Sequence, residues 1–138
     1  MARDAVALGY PQRMSPLPYP AFKPCPCGSR KKYAGCCAPC LSGETPAETP
    51  EALMRSRYAA YVLQDAAYLL ATWHPCTRPA ELRLGHTGWL GLTVRRTEGD
   101  TVSFTARYQE GGQRQSLRER STFVQEGGRW LYLDGVEG

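Results

Sequence analysis

At 138 residues the chain has room for one ordinary domain and an appendage, not for two full domains, and its 42% hydrophobic and 10% aromatic content exclude wholesale disorder. The net charge of +4 is uneven: residues 1–50 hold six Lys/Arg against three Asp/Glu, and residues 51–138 eleven against ten. The second part is therefore near neutral, which argues against a nucleic-acid-binding face there.

No segment approaches the roughly 18 apolar residues of a membrane span. Ala5-Val6-Ala7-Leu8 is too short for a signal-peptide core. Six cysteines in a chain without an export signal are expected to stay reduced, and clustered reduced thiols point to metal or redox chemistry. A cytoplasmic location is expected.

Residues 1–22, with Pro11, Pro16, Pro18 and Pro20 and no hydrophobic period, read as a flexible Pro-rich arm; Met14 is a candidate true start. The cysteines follow in residues 23–41, spaced Cys25-x-Cys27-x8-Cys36-Cys37. A short pair at each end of a tight loop delivers the four soft ligands that zinc takes in a tetrahedron. One zinc per chain is expected on Cys25, Cys27, Cys36 and Cys37. A loop this small buries little apolar area, so the roughly 10–16 kcal/mol from zinc has to order it. Cys40 is a spare thiol close enough to compete as a ligand or to pass metal on. All three lysines, Lys23, Lys31 and Lys32, lie beside the cysteines. With Arg30 they form a basic rim that offsets thiolate charge and offers a contact to a protein or other acidic macromolecule; nucleic acid is indicated only weakly.

Residues 42–49 read as a linker, and residues 50–136 as the main domain. Thr49 suits an N-cap, Pro50 the first helical position and Glu51 the first turn. Leu53, Met54, Tyr58, Tyr61 and Val62 recur at helical spacing, predicting a helix over 50–63. Asp65 caps a second, shorter helix that ends at Trp73 or His74, because Pro75 disfavours helical geometry before it. From Gly88 the period becomes two: alternation around Leu90–Val94, Val102–Tyr108, 117–125 and 129–134, separated by glycine-rich turns, predicts four antiparallel strands. Two helices on one face of a four-stranded meander is an α+β fold, and a twisted sheet can curl around the helices and leave a cavity.

The run Cys25-Pro26-Cys27-Gly28-Ser29-Arg30-Lys31-Lys32-Tyr33-Ala34-Gly35-Cys36-Cys37 resembles the SEC-C zinc motif. Arg30 stands where that motif normally has glycine, so a left-handed backbone there would be strained, and Ala38 replaces a frequent glycine. Pro50-Glu51-Ala52-Leu53-Met54-Arg55-Ser56-Arg57-Tyr58, Thr72-Trp73-His74-Pro75, Trp89-Leu90-Gly91-Leu92 and Arg129-Trp130-Leu131-Tyr132 look like the YchJ-like family of bacterial SEC-C proteins. That resemblance implies an NTF2-like (cystatin-like) cone after the zinc motif, and it brings no activity with it.

Within the cone the candidate pocket residues are Arg57, Trp73, His74, Trp89 and Arg120. His74 at a helix end is a candidate general base, or a cap packed on Trp73. Arg120 shares a strand face with Arg118, Thr122 and Val124, and is either paired to Asp134 or Glu119 or free to bind an anion. Arg55 and Arg57 diverge on their helix, so one of them can reach inside. Cys76 is nucleophilic only if His74 lies close. Nucleophile elbow, phosphate loop, dinucleotide fingerprint and His-Glu-x-x-His are all absent from the sequence. These features favour a binding or adaptor protein, with the zinc motif docking on a partner and the cone holding a ligand or peptide. The alternative is a small enzyme using His74 and Arg120.

Overall fold

The computed structural model describes residues 16–138; Met14 and most of the proline-rich arm lie outside them. Four elements carry helical geometry in chain order: a 3-10 turn Tyr33–Gly35, α1 Ala38–Leu41, α2 Pro50–Leu63 and α3 Ala66–Ala71. Four strands follow, β1 Gly88–Glu98, β2 Thr101–Glu110, β3 Gln113–Glu126 and β4 Arg129–Glu137, in one antiparallel sheet of order β1-β2-β3-β4. The expected α+β cone, two helices against a four-stranded meander, is the observed architecture.

Local chemistry explains the boundaries. The Thr49 hydroxyl accepts from the Ala52 amide at 3.0 Å and Pro50 opens α2. Asp65 accepts from the Tyr68 amide at 3.0 Å and opens α3. That second helix stops at Ala71, short of the expected Trp73–His74, because the next residues pair with the sheet. Trp73 forms an isolated parallel bridge with Tyr132, and the His74 amide donates to the Tyr132 carbonyl at 2.8 Å. The turn between β3 and β4 is Gly127-Gly128, with φ of +59° and +79°. Glycine reaches this left-handed geometry without Cβ strain, and the resulting twist suits a tight hairpin. Gly111-Gly112 repeats the device, so β3 begins at Gln113 rather than near 117.

Inward positions on the strands (Leu92, Val102, Phe104, Ala106 and Phe123) pack against Leu53, Met54, Tyr58 and Ala59 of α2. Cys25, Cys27 and Cys37 belong to the same buried cluster. The cysteine loop is thus seated on the cone, although residues 42–49 read as a spacer. Residues before the loop are seated too: the Leu17 amide donates to the Leu63 carbonyl at 2.8 Å, and Tyr19 meets Tyr33 edge-on at 5.1 Å.

Asp65 is 8% exposed, and burial pushes its carboxyl above the ordinary value of 3.8. A raised acid contributes stability below its unfolded pKa and loses it as pH rises through the folded one. Asp65→Asn keeps a cap of equal quality and removes the buried charge. The variant is expected to be at least as stable as wild type in urea at pH 7, with wild type gaining on it as pH falls towards 3.8. A pH-independent difference would contradict this.

Candidate functional site

The cysteine loop is built by short-range hydrogen bonds. The Cys25 amide donates to Lys31 O at 2.8 Å, the Gly28 amide to Cys25 O at 3.2 Å and the Cys36 amide to Tyr33 O at 3.0 Å. Gly28 has φ +80°, and a Cβ there would come within 3.0 Å of the Leu92 carbonyl, so the loop lies close against β1. Arg30 adopts φ +73°, the left-handed conformation anticipated where the motif prefers glycine. The loop is joined to α2 by Arg55, whose Nη1 donates to Cys27 O at 2.8 Å while Nε holds Glu51 at 2.9 Å.

These contacts bring the sulfurs of Cys25, Cys27, Cys36 and Cys37 all within 4.8 Å of one another. Cys27 and Cys36 are 3.6 Å apart, Cys36 and Cys37 3.9 Å, and the Ser29 hydroxyl lies 3.1 Å from Cys36 Sγ. Hydrogen bonds from the Cys25 and Cys37 thiols hold Cys27 well below the usual thiol range. The donors are pushed up in return, Cys25 to about 12 through its bond to Cys27, and Cys37 upward through its bonds to Cys25 and Cys27. The one cation beside the set among the described residues is Arg55, whose Nη1 lies 3.9 Å from Cys27 Sγ; four converging thiols could hold a metal ion, whose charge would let the remaining thiols ionise. Cys40 stands outside this set, on α1, and burial raises its thiol. Arg30, Lys31 and Lys32 are exposed around the loop, near Phe22, which is 71% exposed.

A second site lies inside the cone, a cavity of about 280 Å³. Its walls include Tyr58, Tyr61, Trp89, Phe104, Phe123 and Tyr132. Of the two α2 arginines, Arg57 is the one that enters. It is 5% exposed, its Nη1 donates to Leu69 O at 2.8 Å and Thr72 Oγ1 at 2.7 Å, and its guanidinium lies 4.9 Å from the Trp73 ring centre and 4.6 Å from that of Tyr132. Desolvation lowers its pKa, and it forms no ion pair with a carboxylate among the described residues. Glu119 also lines the cavity, accepting from Ser121 Oγ at 2.8 Å and Tyr132 Oη at 3.4 Å. Gly135 makes room for it, because a Cβ at that position would collide with the Glu119 carboxylate. Trp89 closes the opposite end, 5.6 Å from Tyr58 and 5.7 Å from Tyr108.

The other expected pocket residues are elsewhere. Arg120 is exposed on the outer face of the sheet, where it does share a face with Arg118, Thr122 and Val124, and pairs with neither Asp134 nor Glu119. Strand alternation puts Leu117, Glu119, Ser121 and Phe123 inward, so Phe123 was the sequence signal for the inner face and Val124 was the misleading one. His74 faces the β3–β4 hairpin: Nδ1 accepts from the Cys76 amide at 3.1 Å, leaving Nε2 to donate to Glu126 at 2.6 Å. With both nitrogens bonded, His74 pins a turn and is not aimed at the cavity. Cys76 is exposed beside it. Trp73 flanks Arg57, and its indole nitrogen is buried without a hydrogen-bond partner among the described residues.

The family described as YchJ, middle NTF2-like domain, matches residues 49–135. The chain belongs to this YchJ-like family. It is 58% identical over 121 residues to a UPF0225 protein of Deinococcus radiodurans, covering 86% of this chain and 93% of the relative. A SEC-C motif containing protein of Rhodopseudomonas palustris superposes with a TM-score of 0.73 at 39% identity, over 84% of this chain and 99% of that one. Another, from Psychrobacter arcticus, gives 0.71 at 27% identity, over 86% and 84%. Both solved neighbours are described as SEC-C motif containing proteins, and each superposes over more than four-fifths of this chain.

Arg30 supplies a direct check on the loop. Left-handed geometry costs a non-glycine residue about 1–2 kcal/mol, of which glycine's extra unfolded-state entropy takes back about 0.5–1. Arg30→Gly is expected to raise thermal stability of the metal-loaded protein by a few tenths to about 1 kcal/mol; a loss would contradict the loop geometry.

Proposed function

We propose that this protein is a zinc-stabilised binding protein whose cone takes a small ligand with a flat apolar body and an anionic end. The observation that carries this reading is Arg57: a buried guanidinium with no carboxylate partner among the described residues, set in an aromatic cavity. A buried cation without a contacting anion is costly; Glu119 in the same cavity offsets the charge only from a distance, and an incoming carboxylate in contact with the guanidinium would offset it further while the rings cover its body. Glu119, with its two hydroxyl donors, is available to a donor group on the same ligand.

Zinc is the metal that the loop's chemistry favours. Four thiolates are a soft, tetrahedral set, and Zn–S bonds of about 2.3 Å place sulfurs about 3.8 Å apart; two of the observed separations are 3.6 and 3.9 Å. Bound there, zinc lets all four thiols ionise and fixes the loop. No coordination position is left for catalysis, so its role is structural. The exposed Phe22 with Lys23, Arg30, Lys31 and Lys32 supports docking of an acidic partner at the loop. The enzyme alternative loses its geometry, since His74 and Arg120 do not meet in the cavity.

A thermal-shift panel of aromatic carboxylates and their matched amides tests the ligand class. A carboxylate at about 100 times its Kd stabilises by about 2.7 kcal/mol, whereas its amide is expected to give little shift. Equal shifts with both, or none with any carboxylate, would contradict the reading.

A further inference from the structure

Net charge conceals how the arginines of the cone are arranged. In the β2–β3 ladder the outward cross-strand pairs are Ser103–Arg120, Thr105–Arg118, Arg107–Ser116 and Gln109–Arg114. Each contains one arginine and one small or polar partner, and all four arginines are exposed. Inward positions took the apolar residues and Glu119, while Glu98, Asp100, Glu110 and Glu126 sit at strand ends and turns. Between the ends of β2 and β3 the outer face therefore keeps its cations with no acid among them, and outward acids stand beyond the file, Glu98 opposite Thr101 and Asp134 opposite Thr122. Among the described residues none of the four arginines forms an ion pair. Arg107 reaches across β1 to donate to Thr93 Oγ1 at 3.0 Å, and Gly91 leaves space for its guanidinium. A groove of about 460 Å³ runs beside Leu90, Arg107, Arg114, Gln115 and Ser116.

We infer that the outer face of β2 and β3 is a binding track for single-stranded RNA, gripped through its phosphate backbone. Outward residues recur about every 6.8 Å along a strand, so the four arginines span about 20 Å. They form a file one side chain wide, suited to one strand of phosphates. Guanidinium forks bind phosphate bidentately, and interleaved Ser, Thr and Gln side chains donate to phosphate and ribose. No aromatic side chain stands in these four pairs to stack a base, so binding is sequence-tolerant. An acidic peptide fits less well, because β2 and β3 are central strands and offer it no free ladder hydrogen bonds.

Fluorescence anisotropy of a labelled twelve-nucleotide oligouridylate with the full, metal-loaded chain tests this. Contacts to about four phosphates give a slope of log affinity against log salt near −2.8, or roughly fifty-fold weaker binding at 200 mM than at 50 mM salt. Arg107→Gln/Arg118→Gln, both exposed, should leave the thermal unfolding midpoint unchanged and reduce the slope to about −1.4, roughly seven-fold over the same range. Lys31→Gln/Lys32→Gln, on the cysteine loop, should leave the slope unchanged. Absence of binding at 50 mM salt would overturn the inference. So would loss of binding in the lysine variant but not the arginine one, or displacement of the RNA by polyglutamate at equal charge concentration.

Discussion

Four thiols held within 4.8 Å of one another, three of them buried, set the constraint from which the N-terminal half follows. Reduced thiols that close either share protons or share a metal. The chain offers little else to hold the loop: hydrogen bonds of single turns, one left-handed arginine, and Arg55 reaching from α2 to Cys27 O. Against those stands backbone entropy of about 1–2 kcal/mol per ordered residue. The loop does not bear this alone, because Cys27 at 0% exposure packs in the same cluster as Leu53 at 1% and Leu92 at 6%. Burial of the cysteine loop and the seating of α2 on β1 therefore belong to one packed unit, and a metal held by the four thiols would be tied into it.

Arg57 plays the corresponding role in the cone. Its two hydrogen bonds fasten α2 to the C-terminal end of α3, and its guanidinium lies against Trp73 and Tyr132, which are themselves joined by a bridge. The same side chain closes the helical layer and gives the cavity its positive pole. Removing the charge would open both the packing and the cavity, which is why varying the chemistry of candidate ligands, rather than Arg57, is the cleaner probe.

Elements governed by neighbours in sequence were legible from the residues. Thr49-Pro50 marked the start of α2, glycines marked the hairpins, and cysteine spacing marked the four thiols that converge. Matters decided across long separations were not. His74 finds Glu126 in the β3–β4 hairpin, far along the chain, and no local pattern announces that pair. Arg55 and Arg57 could be told apart only by what α2 packs against. On β3 two alternating sets each end in an apolar residue, Phe123 and Val124, and only the burial of Phe123 decides that Glu119 faces in and Arg120 out. Charge segregation between the two sheet faces is invisible to a sum over residues 51–138.

The most direct test of the proposal that a metal keys this core is hydrogen exchange, followed by mass spectrometry, on zinc-loaded and chelator-treated protein. If the loop and cone are one cooperative unit, the metal-free protein loses protection not only in residues 23–41 but also in α2 around Leu53 and in β1 around Leu92. Loss confined to residues 23–41, with α2 and β1 unchanged, would contradict it.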